Sequence, residues 1–274
     1  MSRRPRADVG PFIALPLALG ILVVGRILEG GQLSTLLQPT AALVVFGGTL
    51  AALLLSYPIR TLRTAALHVW QAFVRPPLPT PGLTTWFAMQ ANRVRRSGIM
   101  SLESSIGTME DPFLNQALEL AVEGMSVEEV RHVLEHRSHA LEDLEEGSAE
   151  VLEAAGGYAP TLGILGAVLG LIHVMENLAA PGRIGAGIAV AFVATIYGVA
   201  AANLLFLPLA SRIRTLARAA GVHRALIIEG MTSLQRGFHA RMIATRLSPT
   251  ALPWPLTAPE NRSTDHRADA AGRA

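Results

Sequence analysis

The chain has 274 residues, of which 50% are hydrophobic and only 16% are charged, and its mean hydropathy is +0.38. An average soluble domain carries about a quarter charged residues, so this composition favours a membrane protein. Because the sequence contains no cysteine, it excludes disulfide scaffolds, cysteine-ligated zinc and thiol catalysis. All 23 basic residues are arginine, yet the net charge is only +2, which does not indicate a nucleic-acid-binding surface.

The apolar residues fall into four blocks, each close to the roughly 20 residues that a helix needs to cross a bilayer core. We therefore predict an all-α membrane protein with four transmembrane helices over residues 12–28, 40–57, 156–178 and 186–210. Short links that contain glycine join the first span to the second and the third to the fourth. These links predict two antiparallel hairpins, hairpin 1 over 12–57 and hairpin 2 over 156–210.

The distribution of arginine predicts the orientation of these spans. Residues 1–11, 58–155 and the chain from 211 onward carry three, eight and ten arginines. The links at 29–39 and 179–185 carry none and one. Since basic loops stay on the cytoplasmic side of a membrane, we expect both termini and the middle segment to be cytoplasmic.

The middle segment, 58–155, is predicted to be a helical cytoplasmic domain. A proline-rich stretch from residue 75 and a glycine at position 98 interrupt it. Ser126 and Glu129 form a capping box, which predicts the start of a long helix that runs on toward Gly156 and the third span. We interpret its acidic run, 142–146, as a solvated helix face. Beyond the spans we predict a cytoplasmic helix over 211–248 and a disordered, proline-containing tail over 249–274.

No catalytic motif is visible in the sequence, and we expect neither an enzyme nor a bound cofactor. His132, His136 and His139 share one helix face and could hold a metal. Arginine and glutamate lie among them without apolar enclosure, so a solvated face is the favoured interpretation.

The polar residues inside the predicted spans are hydroxyls, and ionisable side chains are rare there. Spans two and four contain no ionisable acid or base, and span three has only His173 and Glu176 near its outer end. A chain that carried ions by itself would be expected to bury such groups. The remaining candidates are the hydroxyl groups of Thr161, Thr195 and Tyr197, the glycines Gly163, Gly166 and Gly170, and the prolines Pro160 and Pro208.

Two interpretations of these residues remain open. Glycines at this spacing let two helix backbones approach closely, and a proline lets a helix bend, so all of them could serve helix packing alone. Alternatively, spans three and four form a surface for a partner helix that supplies the missing carboxylate.

Two long apolar stretches resemble a known family. GGYAPTLGILGAVLGLIHVMENL and GIAVAFVATIYGVAAANLLFLPLA are very similar to spans three and four of MotA-type stator subunits of the bacterial flagellar motor. The resemblance extends to FGGTLAALLLSYP in hairpin 1 and to RRSGIMSLE and DPFLNQALELAVEG in the middle segment. It implies a bacterial inner-membrane protein that works with a B-type partner, a single-span subunit with a membrane Asp and a peptidoglycan-binding domain. A pentamer of the A-type chain would surround the partner and push the rotor protein FliG.

The resemblance also implies roles for particular residues. Pro160 and Pro208 match the family's two coupling prolines, and Thr195 matches the hydroxyl that faces the partner's Asp. Tyr197 and Ala167 would lie along the same ion pathway. Ala167 stands where sodium-using relatives have threonine, so we expect translocated protons rather than Na⁺. Arg95 and Glu103 in RRSGIMSLE match the charged pair that contacts the rotor.

The sequence leaves two alternatives to a stator subunit. An ExbB- or TolQ-type energiser shares the hydroxyl-lined pair of spans, but such proteins have three spans and an outer N-terminus, which does not fit the arginine distribution here. A membrane scaffold without ion coupling would use Thr195 and the prolines only for packing.

Overall fold

A computed structural model gives the fold and describes residues 10–28, 30, 32–74, 80–108, 111–179 and 181–248. These residues form helices and connecting turns without a strand, which confirms the predicted all-α class. Residues 1–9, the proline-rich stretch 75–79 and the predicted tail 249–274 lie outside the described residues.

The structure contains ten α-helices within its described residues, with two short 3-10 helices and two π-helical segments between them. The 3-10 helices are Leu33–Leu36 and Ile99–Ser105, and the π-helical segments are Leu43–Gly47 and Ala201–Phe206. The α-helices are α1 (Gly10–Leu28), α2 (Pro39–Ala42), α3 (Gly48–Ser56), α4 (Ile59–Val74), α5 (Thr80–Ser97), α6 (Pro112–Val122), α7 (Val127–Glu176), α8 (Pro181–Ala200), α9 (Leu207–Gln235) and α10 (Ala240–Leu247).

Three stretches in the described part of the chain are long and apolar enough to cross a membrane, and they overlap predicted spans two, three and four. They are Leu33–Ser56, Val127–Glu176 and Ile184–Gln235. The fourth apolar stretch, Phe12–Leu28, is shorter. The structure is therefore that of a helical membrane protein, and predicted span one is the shortest of its four apolar stretches.

Predicted span three is continuous with the long helix that precedes it, as expected from the sequence. α7 runs for 50 residues through Pro160 without a break near Gly156. Its capping box is formed: the Ser126 N–H donates to Glu129 Oε2 at 2.9 Å, and the Glu129 N–H donates to Ser126 Oγ at 3.3 Å. The hydroxyl of Ser126 also bonds the carboxylate, and these hydrogen bonds hold the pKa of Glu129 below its usual range.

The helix predicted over 211–248 is two helices. α9 continues from span four without interruption and ends at Gln235, and α10 begins at Ala240. Gly237 has φ +71 and donates its N–H to Leu234 O at 3.0 Å, while Phe238 donates to Ser233 O at 3.2 Å. This left-handed glycine cap ends α9, so the single-helix prediction was wrong.

The chain divides into two compact units, and their boundaries differ from those of the predicted domains. The first unit is Met1–Pro79 with Arg131–Ala225, and the second is Thr80–Val130 with Leu226–Ala274. In the first unit, aliphatic residues of α4, α7 and α9 form one buried cluster: Ala72, Ala149, Leu152, Ala210 and Ile213. In the second, α10 packs against α5, and a buried Phe87 ring occupies the space beside Gly230.

Candidate functional site

The predicted glycines of span three lie where α7 and α8 touch. A Cβ on Gly163 would lie 2.9 Å from Ala194 O, and one on Gly170 would lie 2.8 Å from Ala191 N and 2.9 Å from Gly187 O. At Gly166 a Cβ would lie 2.8 Å from Ala194 Cβ. Such distances are shorter than real carbon contacts, so each position needs the absence of a side chain.

Two glycines of α8 complete this seam and were not identified from the sequence. A Cβ on Gly198 would lie 2.5 Å from Ala159 O and 3.1 Å from Pro160 Cα. On Gly187 it would lie 2.6 Å from Val174 Cγ2. Their signal was present in the sequence as small residues at three- and four-residue spacing along span four. We call these contacts between α7 and α8 the glycine seam, formed by Gly163, Gly166, Gly170, Gly187 and Gly198.

Thr195 lies at the edge of this seam with its side chain exposed. Its Cα is 3.5 Å from the position that a Gly163 Cβ would take, and Ala167, which is half-buried, follows Gly163 by one helical turn. The Thr195 hydroxyl donates to Ala191 O at 3.3 Å. A hydroxyl that donates its proton in this way keeps its oxygen lone pairs, so Thr195 can accept a hydrogen bond from a group outside the chain.

The two predicted coupling prolines lie at one end of this helix pair. Pro160 is half-buried and lies beside Gly198, whereas Pro208 is exposed and follows the π-helical segment Ala201–Phe206. Leu207 packs over Gly156, where a Cβ would lie 2.8 Å from Leu207 Cδ2. Because proline has no N–H, each one interrupts the helical hydrogen-bond ladder at this level. The pair is therefore easiest to bend where both helices carry a proline.

Tyr197 has a specific structural contact. Its hydroxyl donates to Leu36 O and accepts a hydrogen bond from the Gln38 N–H at 3.4 Å. Its ring lies 5.9 Å from the ring of Phe46. One hydroxyl thus satisfies two backbone groups before α2, the carbonyl of Leu36 at the end of the first 3-10 helix and the N–H of Gln38. The predicted place of Tyr197 along an ion pathway is untested by this contact.

Outside the apolar part, α7 and α9 are held together by ion pairs, which corrects the interpretation of the acidic run. The Arg224 guanidinium, only 7% exposed, donates to both carboxylate oxygens of Glu145 at 3.1 and 3.0 Å and to Ser138 Oγ at 3.2 Å. Glu142 lies 3.6 Å from the same guanidinium. The acidic residues were expected on a solvated face, but Glu145 faces a nearly buried arginine. Bidentate pairs of this kind fix geometry strongly.

A second arginine of α9 joins two carboxylates of α7. Arg214 donates to Glu146 Oε1 from Nε at 2.8 Å and from Nη2 at 2.6 Å, and it also pairs with both carboxylate oxygens of Glu153. The hydrogen bonds from Arg214 hold the pKa of Glu153 below its usual range. Neither Arg214 nor Arg224 was identified from the sequence.

The predicted rotor-contact residues lie in the second unit. Arg95 is in the last turn of α5 and Glu103 is in the following 3-10 helix, and both side chains are exposed. Gly98, with φ +74, ends α5 as predicted, and Arg93 Nη2 donates to Ser104 Oγ at 2.8 Å across this turn. His132, His136 and His139 are exposed, and no group of three potential metal ligands occurs in the described part of the chain.

Comparisons with known proteins agree with this architecture. The MotA/TolQ/ExbB proton channel family matches residues 105–224. Motility protein A of Bacillus subtilis is 32% identical over 88% of this chain and 89% of its own length. The solved B. subtilis flagellar MotAB stator complex contains a chain that is 32% identical, with a TM-score of 0.81 over 88% of this chain and 94% of that one. C. jejuni MotAB gives a TM-score of 0.83 at 25% identity, over 94% and 99% of the two chains.

The fold is that of a helical membrane chain with a close-packed pair of apolar helices and a long helical extension, and the comparisons identify its class as the proton-channel subunits. The chain belongs to the MotA/TolQ/ExbB proton channel family. Its relatives within that family include Motility protein A of several bacteria and the chemotaxis protein PomA of Vibrio alginolyticus. It is therefore a flagellar stator subunit, and the ExbB- or TolQ-type alternative is set aside. Proton conduction, the function for which this family is named, is not an enzymatic kind of function.

Proposed function

We propose that this protein converts proton flow across the bacterial inner membrane into rotation, together with a B-type partner whose membrane Asp accepts the proton. The observation that carries the proposal is the exposed Thr195 hydroxyl at the edge of the glycine seam. The chain places no carboxylate of its own in span four, and an accepting oxygen faces outward there. A partner's protonated carboxyl group could donate its hydrogen bond to that oxygen.

The proposed membrane arrangement has four spans in two hairpins, with both termini and the region between the hairpins in the cytoplasm. Its support is the arginine distribution together with the apolar stretches at Phe12–Leu28, Leu33–Ser56 and in α7 and α8. The Arg214 and Arg224 pairs to α7 lie below the spans in this arrangement, where charged groups are hydrated at little cost.

The proposed ion is the proton. The side chain of Ala167 has no oxygen with which to coordinate a dehydrated sodium ion, and Ala167 lies one helical turn from Gly163 on the seam. A protonated carboxyl group loses the penalty of carrying charge in an apolar interface, so proton uptake lets the partner's Asp enter it and release reverses this. The membrane potential supplies about 2.3 kcal/mol per unit charge for each 100 mV.

The proposed assembly is a pentamer of this chain around two copies of the partner, in contact with FliG through Arg95 and Glu103. Large apolar side chains on α7 and α8 remain exposed in the single chain, among them Ile164, Val168, Phe192 and Ile196. Such surfaces require lipid or other subunits to cover them. The exposed Arg95 and Glu103 are available for a charged contact with the rotor.

Thr195→Val tests the proposed role of the hydroxyl, because valine keeps the shape of threonine and removes its oxygen. We expect loss of swimming and of proton flux through the co-expressed complex, with assembly intact. Thr195→Ser should restore both, because it restores the oxygen.

Thr49→Val is a matched control in span two. The Thr49 hydroxyl makes the same kind of bond, to Val45 O at 2.6 Å, but its side chain is only 3% exposed and cannot face a partner. Normal swimming of Thr195→Val, with the control also normal, would reject the coupling role and favour a packing scaffold.

A further inference from the structure

Helix α4 has an outward face that neither the core nor the ion pathway uses. Its buried face is fixed in the first unit: Ala65 and Ala72 are 3% and 1% exposed, and His68 Nδ1 lies 2.7 Å from Ser148 Oγ. Arg212 Nε donates to Ala72 O at 2.9 Å. These contacts set the rotation of α4 about its axis, so the identity of its opposite face is well defined.

That opposite face is apolar and basic. Ile59, Leu67, Trp70 and Val74 are 60, 59, 68 and 48% exposed, so they remain uncovered although they are among the most hydrophobic residues of the helix. Arg60 and Arg63 accompany them on the exposed side, and α4 contains no acidic residue. We call these six residues the outer face of α4.

Both ends of α4 lie at the inner ends of predicted spans. α4 begins three residues after Ser56, the last residue of α3, and two residues after Tyr57, where predicted span two ends. Near its other end, the ring of Phe73 meets the ring of Phe12 edge-on at a centroid distance of 5.7 Å. Phe12 is the first residue of predicted span one. A helix that connects the inner ends of two spans must run along the membrane surface rather than away from it.

We propose that the outer face of α4 lies in the cytoplasmic leaflet and binds anionic lipid headgroups there. Its aliphatic side chains would enter the headgroup and upper acyl region, with Trp70 at the level that tryptophan prefers. Arg60 and Arg63 would pair with phosphate groups, and each basic residue near an anionic surface strengthens association by roughly fivefold. The inference rests on the proposed placement of spans one and two, and it adds a lipid requirement to the stator.

Tryptophan fluorescence can test this placement in the full chain, co-purified with its partner and reconstituted into vesicles. This chain has three tryptophans, so Trp86→Phe combined with Trp254→Phe leaves Trp70 as its only tryptophan, and tryptophans of the partner are replaced by phenylalanine in every sample. Vesicles contain bromine-labelled acyl chains on either phosphatidylglycerol or phosphatidylcholine at equal mole fraction, since bromine quenches tryptophan only on contact. We expect strong quenching of Trp70, severalfold more efficient when phosphatidylglycerol carries the bromine.

The arginines can be tested with a charge-matched control. Arg60→Gln with Arg63→Gln should abolish the difference between the two brominated lipids while leaving quenching itself in place. Arg218→Gln with Arg241→Gln removes the same charge from exposed positions on α9 and α10 and should leave the difference unchanged. If the control pair abolishes it equally, the preference is a property of net charge and the proposed site is wrong.

A second reporter separates failure of this inference from failure of the membrane arrangement. Leu50→Trp in the chain without other tryptophans places the probe on the exposed side of span two. If Leu50→Trp is quenched by brominated lipid and Trp70 is not, then another copy of the chain or water covers α4 and the inference is overturned. If neither is quenched, the proposed placement of span two has failed as well.

Discussion

The long helix α7 is held to its neighbours in two chemically different ways along its length. In the apolar half, the seam with α8 consists of missing side chains, as at Gly163 and Gly170, where backbone meets backbone. In the charged half, Arg214 and Arg224 of α9 pair with carboxylates of α7. The two kinds of contact suit different surroundings. In lipid, helices attract each other through close packing of their backbones. Charged pairs are stable where water is near, because burying charge in lipid is unfavourable. One continuous helix thus carries both kinds of contact.

The largest effect is expected from filling the seam. Gly198→Leu would place a Cβ 2.5 Å from Ala159 O, a backbone atom that cannot move aside, so we expect destabilisation of at least about 3 kcal/mol and loss of assembled complex. Gly157→Ala on α7 is the control, because nothing lies within 4 Å of that Cβ position. The amount of complex recovered from membranes measures the effect. Equal recovery of the two variants would contradict the seam.

The next largest loss of stability is expected in the half of α7 that forms ion pairs with α9. Arg224→Gln leaves Glu145 without its bidentate partner in a site where the arginine is 7% exposed and the carboxylate 19%. Removing one member of such a pair costs about 3 kcal/mol. Thermal unfolding followed by circular dichroism in detergent measures it. Arg236→Gln breaks the pair with Glu128, which is 37% and 75% exposed, and should change stability by about 1 kcal/mol or less. Similar losses of stability in Arg224→Gln and Arg236→Gln would show that the burial of an ion pair does not determine its contribution to stability.

A smaller effect is expected at the turn before α2. Tyr197→Phe removes the hydroxyl that bonds Leu36 O and the Gln38 N–H, so two backbone groups lose their partner at a cost of about 1–3 kcal/mol. Tyr158→Phe is the control, since its hydroxyl bonds only the exposed Ser56 Oγ at 3.0 Å. Thermal stability and proton flux should be measured together. Loss of flux at unchanged stability would instead place Tyr197 in the ion pathway.

The smallest effect is a pH dependence. Because Arg214 lowers the pKa of Glu153, the pair stabilises the fold fully above the ordinary glutamate pKa, and this contribution is lost as the pH falls through the lowered value. Arg214→Gln should therefore reduce the unfolding temperature at pH 7, and the difference from wild type should shrink below about pH 4. A difference that stays constant across this range would show that Arg214 acts through packing alone.

Local features of the fold were predictable from the sequence. The capping box of Ser126 and Glu129 lies within one turn, and the glycines at 163, 166 and 170 reveal their shared face by spacing alone. The pairing of Arg224 with Glu145 was not predictable, because it joins residues 79 apart and depends on the register of α7 against α9. Without that register, an acidic run on a helix looks like a solvated face. The end of α9 at Gly237 carried a usable signal, since glycine commonly caps helices.

The site was predictable in its residue types and less so in its geometry. Thr195 was identified because it matches a family motif, and its exposure beside Gly163 emerged only in the structure. Tyr197 belongs to the same motif, yet its contact with Leu36 links span four to a turn 161 residues earlier. A contact over that separation leaves no local pattern in the sequence.

We propose above that the outward hydroxyl of Thr195, beside a close-packed helix pair, accepts a hydrogen bond from the membrane carboxyl group of a partner subunit. Native mass spectrometry of the complex, purified in mild detergent after co-expression with the neighbouring gene, tests it most directly. We expect five copies of this chain with two copies of a single-span protein that has a membrane Asp and a peptidoglycan-binding domain. Recovery of this chain with no partner, or with one that lacks a membrane carboxylate, would contradict it.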